Sequence, residues 1–321
     1  MKERMVSAEH DALKRGAARL SVLSNATLVA AKLAVGILSG SVSVLSEAVH
    51  SGIDLVAAGI AWYSVRESGK PADEDHHFGH GKIENVAGTI EAVLIFAAAL
   101  YIVFEAAGKI RSGGGEIASL GLGAAVMGVS AVANYLVSRH LLSVAAVTDS
   151  VALEADAMHL RTDVYTSVGV LGGLLAIKIT GIALLDPIVA IAVAVMIAKA
   201  AWDLTKAAFF HILDVKLPED EEAVIHEVLR DFREHLIEYH KLRTRKSGHI
   251  RHIDMHLVVP RQMTVETAHA LSHRISAEVE RRLPYSHMLV HIEPCPGSCD
   301  RCTIECPKAA RGGKRPRPDR G

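Results

Sequence analysis

The 321-residue chain is half hydrophobic, with a mean hydropathy of +0.25 and a formal net charge of −1. That is too apolar for an ordinary soluble chain of this length, and it points to long buried helices. The near-zero charge excludes a nucleic-acid binder, which needs a large basic face.

Residues 1–20 are charged and lack the short apolar core and small-residue cleavage site of a secretory leader. Six segments then follow at 19–38, 42–65, 84–107, 116–139, 151–177 and 183–204. Each is long enough to cross a hydrocarbon layer, which takes about 20 apolar residues. Glycine, serine and charge separate them, as in Leu38-Ser39-Gly40-Ser41 and Arg111-Ser112-Gly113-Gly114-Gly115-Glu116. A soluble bundle would need polar stripes along these segments, and they lack them. Their apolar mass is Ala, Val, Leu and Ile with few aromatics, as close-packed membrane helices require. An even number of spans puts both termini on one side. Lys2, Arg4, Lys14 and Arg15, with Arg66, Lys70 and Lys82, outweigh Lys109, Arg111 and Lys178 on the other side. The expectation is therefore a multi-pass protein of the cell (inner or plasma) membrane, embedded in a lipid bilayer with both termini in the cytoplasm.

Ionisable residues inside spans are costly and mark function. The second span reads Glu47-Ala48-Val49-His50-Ser51-Gly52-Ile53-Asp54, and the fifth reads Asp156-Ala157-Met158-His159-Leu160-Arg161-Thr162-Asp163. Both follow the pattern acid-Ala-x-His-x-x-x-Asp. Residues four apart share a helix face, so each helix offers an imidazole and a carboxylate. Two facing helices supply four ligands: His50, Asp54, His159 and Asp163. Nitrogen and oxygen donors without sulfur suit tetrahedral Zn²⁺, and also Cd²⁺ or Co²⁺, better than a hard cation. The alternative is a pair of buried His–Asp hydrogen bonds that merely join helices. Glu47 and Asp156, one turn earlier, fit a supporting role better than ligation.

Beyond about residue 212 the chain turns polar, and eleven of its 18 histidines lie after position 210. Residues 219–236 form an amphipathic helix with an acidic start. Ile250–Val259 alternates, with Ile253, Met255 and Leu257 on one face and His252, Asp254 and His256 on the other. Thr264 can cap a helix running to about Leu283. A last strand over 288–293 puts His291 and Glu293 on one face. These elements make a small α+β domain over residues 211–296. Residues 297–321 form a basic, Gly/Pro-rich tail, expected to be flexible. At its edge all four cysteines follow Cys295-x3-Cys299-x2-Cys302-x3-Cys306. Four thiolates suit a zinc site or an iron–sulfur cluster, and a reduced, redox-sensitive tail fits equally well.

Over nearly its whole length the sequence resembles the cation diffusion facilitator family of metal–proton antiporters. The resemblance runs through Leu45-Ser46-Glu47-Ala48-Val49-His50-Ser51-Gly52-Ile53-Asp54 and Ala155-Asp156-Ala157-Met158-His159. It is most specific in the loop Pro71-Ala72-Asp73-Glu74-Asp75-His76-His77-Phe78-Gly79-His80-Gly81-Lys82-Ile83-Glu84, and it ends at His291-Ile292-Glu293-Pro294. It implies an all-α six-helix transmembrane domain (19–210) after a short N-terminal segment (1–18), followed by a cytoplasmic ferredoxin-like domain, in a homodimer. It implies divalent metal efflux by exchange with protons. Zinc is favoured because histidine stands on both helices, and Fe²⁺, Co²⁺, Ni²⁺ or Cd²⁺ are alternatives. It assigns His50, Asp54, His159 and Asp163 to the transport site, and Asp73, His76 and His80 to a loop-borne metal site. His240, His256, His269 and His291 match a regulatory two-metal site at the dimer interface, with Glu293 where relatives often have aspartate. Lys82 and Asp214 match a charge pair that holds protomers together. No hydrolase motif accompanies the intramembrane carboxylates, so an intramembrane metalloenzyme is disfavoured. A non-transporting metal sensor has no need of an intact four-ligand site.

Overall fold

The computed structural model describes residues 2–39, 42–111, 122–180 and 185–296. It divides into two compact units, Met1–Leu213 and Asp214–Gly321.

Among the described residues the first unit holds six long helices: α1 (Lys2–Ser39), α2 (Val42–Ser68), α3 (Lys82–Arg111), α4 (Leu122–Thr148), α5 (Val151–Thr180) and α6 (Leu185–Ile212). The most extensive helix pairings are α3 with α6, α1 with α2, and α4 with α5; α2 and α5 also touch. Large apolar side chains face outward, among them Leu23, Ile37, Phe104, Val129 and Val168, while Ala57, Ala58, Ala61, Ala92, Ala152 and Ala155 fill the interior. Small residues inside and bulky ones outside are what lipid demands, since lipid tails solvate leucine as well as a core does. Among the described residues α1, α3 and α6 are apolar enough to cross a membrane by composition alone. α2, α4 and α5 match them in length.

Close approach is visible at Gly88 on α3. A Cβ there would stand 3.0 Å from Val151 Cγ1 and 3.4 Å from Ala208 Cβ, so only glycine lets α5 and α6 come this near. At the same end of the bundle a buried polar knot ties four segments. Glu84 on α3 accepts from Lys14 Nζ on α1 (2.9 Å), Ser68 Oγ on α2 (2.8 Å) and Ser150 Oγ just ahead of α5 (2.6 Å). Lys14 and Glu84 are almost wholly buried, and this explains why α1 extends through the charged stretch that hydropathy alone places outside the first span.

The second unit is built as α7 (Glu219–Asp231), β1 (Glu238–Ser247), β2 (Ile250–Val259), α8 (Val265–Arg282) and β3 (Ser286–Pro294). β1 and β2 are an antiparallel hairpin, while β2 and β3 run parallel through the α8 crossover, giving sheet order β1-β2-β3. This is the ferredoxin-like pattern with three strands. Ile253, Met255 and Leu257 of β2 pack with Ile225, Val228 and Leu229 of α7 and Leu271, Ile275 and Val279 of α8 in one core. The expected alternation of β2 is therefore realised. Thr264 caps α8 by accepting from Thr267 N at 3.2 Å. β1 has no counterpart in the sequence pattern: a bulge between His240 and Arg243, with Lys241 at φ 51°, breaks its alternation.

Candidate metal centres

α2 and α5 bring their ligand pairs together crosswise. His159 Nε2 lies 3.2 Å from Asp54 Oδ1, and His50 Nε2 lies 4.0 Å from Asp163 Oδ1. Donor atoms of His50, Asp54 and Asp163 all fall within 4.8 Å of one another. Ligands about 2 Å from a tetrahedral zinc sit roughly 3.4 Å apart, so small side-chain shifts close this set on one ion. Asp54 and His159 are buried, Asp163 is half-buried, and His50 is the exposed member. Asn134 on α4 donates to Asp163 Oδ2 at 3.4 Å, a support that sequence reasoning misses because a lone amide in an apolar run carries no pattern. Beside the site the buried Lys32 of α1 donates to Ser51 Oγ at 2.7 Å. The side chain of Glu47 lies outside the described residues.

A second group forms in the loop between α2 and α3. Asp73 Oδ1 accepts from the backbone N–H groups of Asp75 and His76, which folds the loop into a tight turn, and Gly79 at φ +76° completes the reversal. His76 Nδ1 then lies 3.2 Å and His80 Nε2 3.3 Å from the Asp73 carboxylate, with the two rings 4.3 Å apart. All three donors fall within 4.8 Å of one another. The His76 backbone N–H holds the Asp73 carboxyl below its ordinary range, so it stays ionised and ready to ligate. His80 Nδ1 is buried without a hydrogen-bond partner among the described residues.

The third group lies on the sheet face of the second unit that α7 and α8 leave uncovered. His240, His256 and His291 form one rung across β1, β2 and β3. Glu293, two residues past His291 and on the same face, sits 2.6 Å from His256 Nδ1, 3.3 Å from His240 Nε2 and 3.9 Å from His291 Nε2. The longer glutamate arm thus reaches all three rings, and His240, His256 and Glu293 gather within 4.8 Å. The hydrogen bond from His256 holds the Glu293 carboxyl below its usual value. His269 does not join them within one chain. It is exposed on α8, whose Ala268, Leu271 and Ile275 face the core on the opposite side of the sheet, and its ring lies 4.4 Å from that of His273. A parallel rung, His252 beside His287 with rings 6.0 Å apart, goes unmarked in the sequence reading, although the two-residue spacing to Asp254 and His256 holds the signal.

Cys295 is buried, forms no disulfide among the described residues, and donates its backbone N–H to Val259 O. Cys299, Cys302 and Cys306 lie outside the described residues. Lys82 Nζ donates to Ile212 O at 3.2 Å, and Asp214 accepts from Arg245 at 3.3 Å.

Six lipid-suited helices around crosswise His–Asp pairs, with a small α+β unit bearing a face of histidines, describe a membrane transporter of cations. A family profile described as the cation efflux transmembrane domain matches residues 18–213, and one described as the cytoplasmic domain of cation efflux proteins matches residues 217–295. A transporter of Synechocystis sp. is 31% identical over 282 residues, covering 88% of this chain and 91% of its own. The cation-efflux pump FieF of Serratia proteamaculans is 31% identical over 283 residues, 88% of this chain and 93% of the pump. A solved structure, the metal-bound C-terminal domain of the CzcD transporter from Thermotoga maritima, is 29% identical. It covers 25% of this chain and 92% of that one, at a TM-score of 0.23. The chain belongs to the cation diffusion facilitator family of cation efflux transporters.

Proposed function

We propose that this protein exports a divalent transition metal, zinc foremost, in exchange for protons. The observation that carries the reading is the crosswise His–Asp pairing of α2 and α5. Two imidazoles and two carboxylates offset a dipositive charge inside a bundle where a bare cation is costly. The same four groups accept protons when the ion leaves. Metal requires the imidazoles neutral, so acid on the outer side displaces the ion and a neutral cytoplasm reloads it.

The loop group Asp73, His76 and His80 acts as a capture point ahead of the bundle. Both termini face the cytoplasm, in keeping with Arg15, Arg19 and Arg66, which line one cavity of about 390 Å³ with Trp62. The transporter works as a homodimer. His269 of α8 faces away from the His240, His256, His291 and Glu293 group of its own chain, so it can complete that group only in a second copy, and metal there draws two protomers together and tunes the rate. Cys295 with Cys299, Cys302 and Cys306 would supply a further site, of thiolates, for zinc or an iron–sulfur cluster.

The test is reconstitution of the full chain in proteoliposomes with an imposed pH gradient and a panel of Zn²⁺, Cd²⁺, Co²⁺, Ni²⁺ and Fe²⁺. Zinc uptake should follow the gradient in wild type and vanish in Asp54→Ala and His159→Ala. Uptake unchanged in both variants removes the site, and preference for another ion reassigns the cargo.

A further inference from the structure

Four polar side chains deep in the first unit are used by none of the sites above. Glu91 on α3 and Asp156 on α5 are each fully buried, and neither carboxyl has a hydrogen-bond partner on either oxygen among the described residues. Ser21 Oγ and Asn25 Nδ2 on α1, one turn apart and almost wholly buried, are unpartnered as well. Asp156 is near enough to act on the charge of Glu91, and the Ser21 hydroxyl lies beside Asp156 without reaching hydrogen-bond geometry.

Their depth is fixed by the Glu84 knot, where α3 and α5 begin side by side. Glu91 is seven residues past Glu84, and Asp156 is six past Ser150, so both stand about 9–11 Å into the bundle at similar height. His159 follows Asp156 by one helical turn. The pair therefore lies between the knot and the His–Asp quartet.

Two ionised carboxylates near each other in a dry bundle, neither accepting a hydrogen bond among the described residues, carry a high desolvation cost that a bound cation relieves. A metal ion is a poor candidate. Among the described residues, the groups with three donors within 4.8 Å of one another include neither Glu91 nor Asp156. A proton needs one oxygen only. Neighbouring cations do not substitute for it: Lys14 is held by Glu84, and Lys32 donates to Ser51. Asp54 of α2 is paired with His159, while Lys199, Asp203 and Lys206 of α6 and Arg139 and His140 of α4 are exposed. His159 stands one turn past Asp156 on α5 and acts on its charge.

We propose that Glu91 and Asp156 form a second, proton-binding site that carries part of the coupling ion separately from the metal ligands. A dipositive ion arriving at the quartet, one turn away, repels the proton; departure of the ion lets it return. The proposal rests on the proton-coupled reading above.

The experiment uses full-length Glu91→Gln and Asp156→Asn, in which an amide mimics the protonated acid, in proteoliposomes with zinc. Each exchanged proton is worth about tenfold in zinc accumulation per pH unit of gradient. Both variants should lose about that factor in their response to the gradient while retaining uptake driven by zinc concentration alone. Infrared difference spectra of wild type should show a protonated carboxyl signal that zinc addition removes and that Glu91→Gln lacks. Variants with an unaltered gradient response overturn the proposal and leave the antiport reading standing. Variants that also lose concentration-driven uptake place the pair in the metal path and overturn its proton role. A wild type indifferent to the gradient defeats both readings. Should a variant not fold, the wild-type spectrum still decides, because absence of the zinc-sensitive carboxyl signal overturns the proposal.

Discussion

The two units present candidate metal donors by different means. In the helical unit, ligands recur at the helix period, two per helix, and the surrounding alanine interior shields Asp54 and His159 from water. In the α+β unit the donors recur at the strand period and across strands, on a face left open by α7 and α8. A largely buried set suits an ion that must be stripped of water and then released, as the proposed function requires. An exposed set on a rigid sheet suits an ion that stays and is shared. Interior composition follows the same division: small residues where helices must approach one another and slide, and Ile, Leu and Met where one packed core holds a fixed shape.

The sharpest way to break this comparison is to remove donors from each unit in turn. Asp163→Ala should reduce zinc flux by about 100-fold or more, since loss of even supporting groups costs roughly 10–100-fold at metal sites. The double change His256→Ala with His291→Ala should leave maximal flux in place and shift only the metal concentration at half-maximal rate. Equal losses in both would erase the distinction. Next in size, Ile275→Ala removes a fully buried side chain from the α+β core and should cost about 2–5 kcal/mol, read as earlier unfolding of that unit by hydrogen exchange in the full chain. Gly88→Val should cost about 1–3 kcal/mol by pushing α3 off Val151 and Ala208, read as a lower thermal midpoint in detergent.

The smallest effect is a pH slope. Burial, with Arg245 and His287 nearby, pushes His252 down to about 4 from an ordinary value of 6.5. Between those values the unfolded chain binds the proton and the folded chain does not, so stability is full above about 6.5 and declines as pH falls toward 4. The sign follows from a depressed folded-state value in a base. His252→Gln should flatten unfolding of the α+β unit across that window, and an unchanged slope would assign it to other groups.

The approach of the His–Asp pairs on α2 and α5 is legible in the sequence because a four-residue spacing, repeated in two apolar helices, puts each pair on one helix face. β2 is legible from clean alternation. β1 is not, because its bulge at His240–Arg243 shifts the faces midway and its side chains are mostly polar. The N-terminal extent of α1 is hidden for a related reason: Lys14 reads as solvent-exposed until its partner, 70 residues away, is seen to be Glu84. Pairing of this kind leaves no local trace. Glu91 and Asn134 are equally silent, each being a single polar residue in a long apolar run. The histidine rung on the sheet is half legible, since strand faces follow from alternation but the register that aligns His240, His256 and His291 depends on the bulge and the α8 crossover.

Glu84 also constrains how the bundle can move. Its two oxygens hold one ammonium and two hydroxyls from α1, α2 and the start of α5, so separating any of these at that end exposes a lone anion to hydrocarbon or requires water to enter. The helix ends are thereby obliged to travel as one block, with bending taken up farther along their length. Opening that end carries an electrostatic cost, and Glu84→Gln should appear as a rise in ion leak at zero gradient before it appears as a loss of binding.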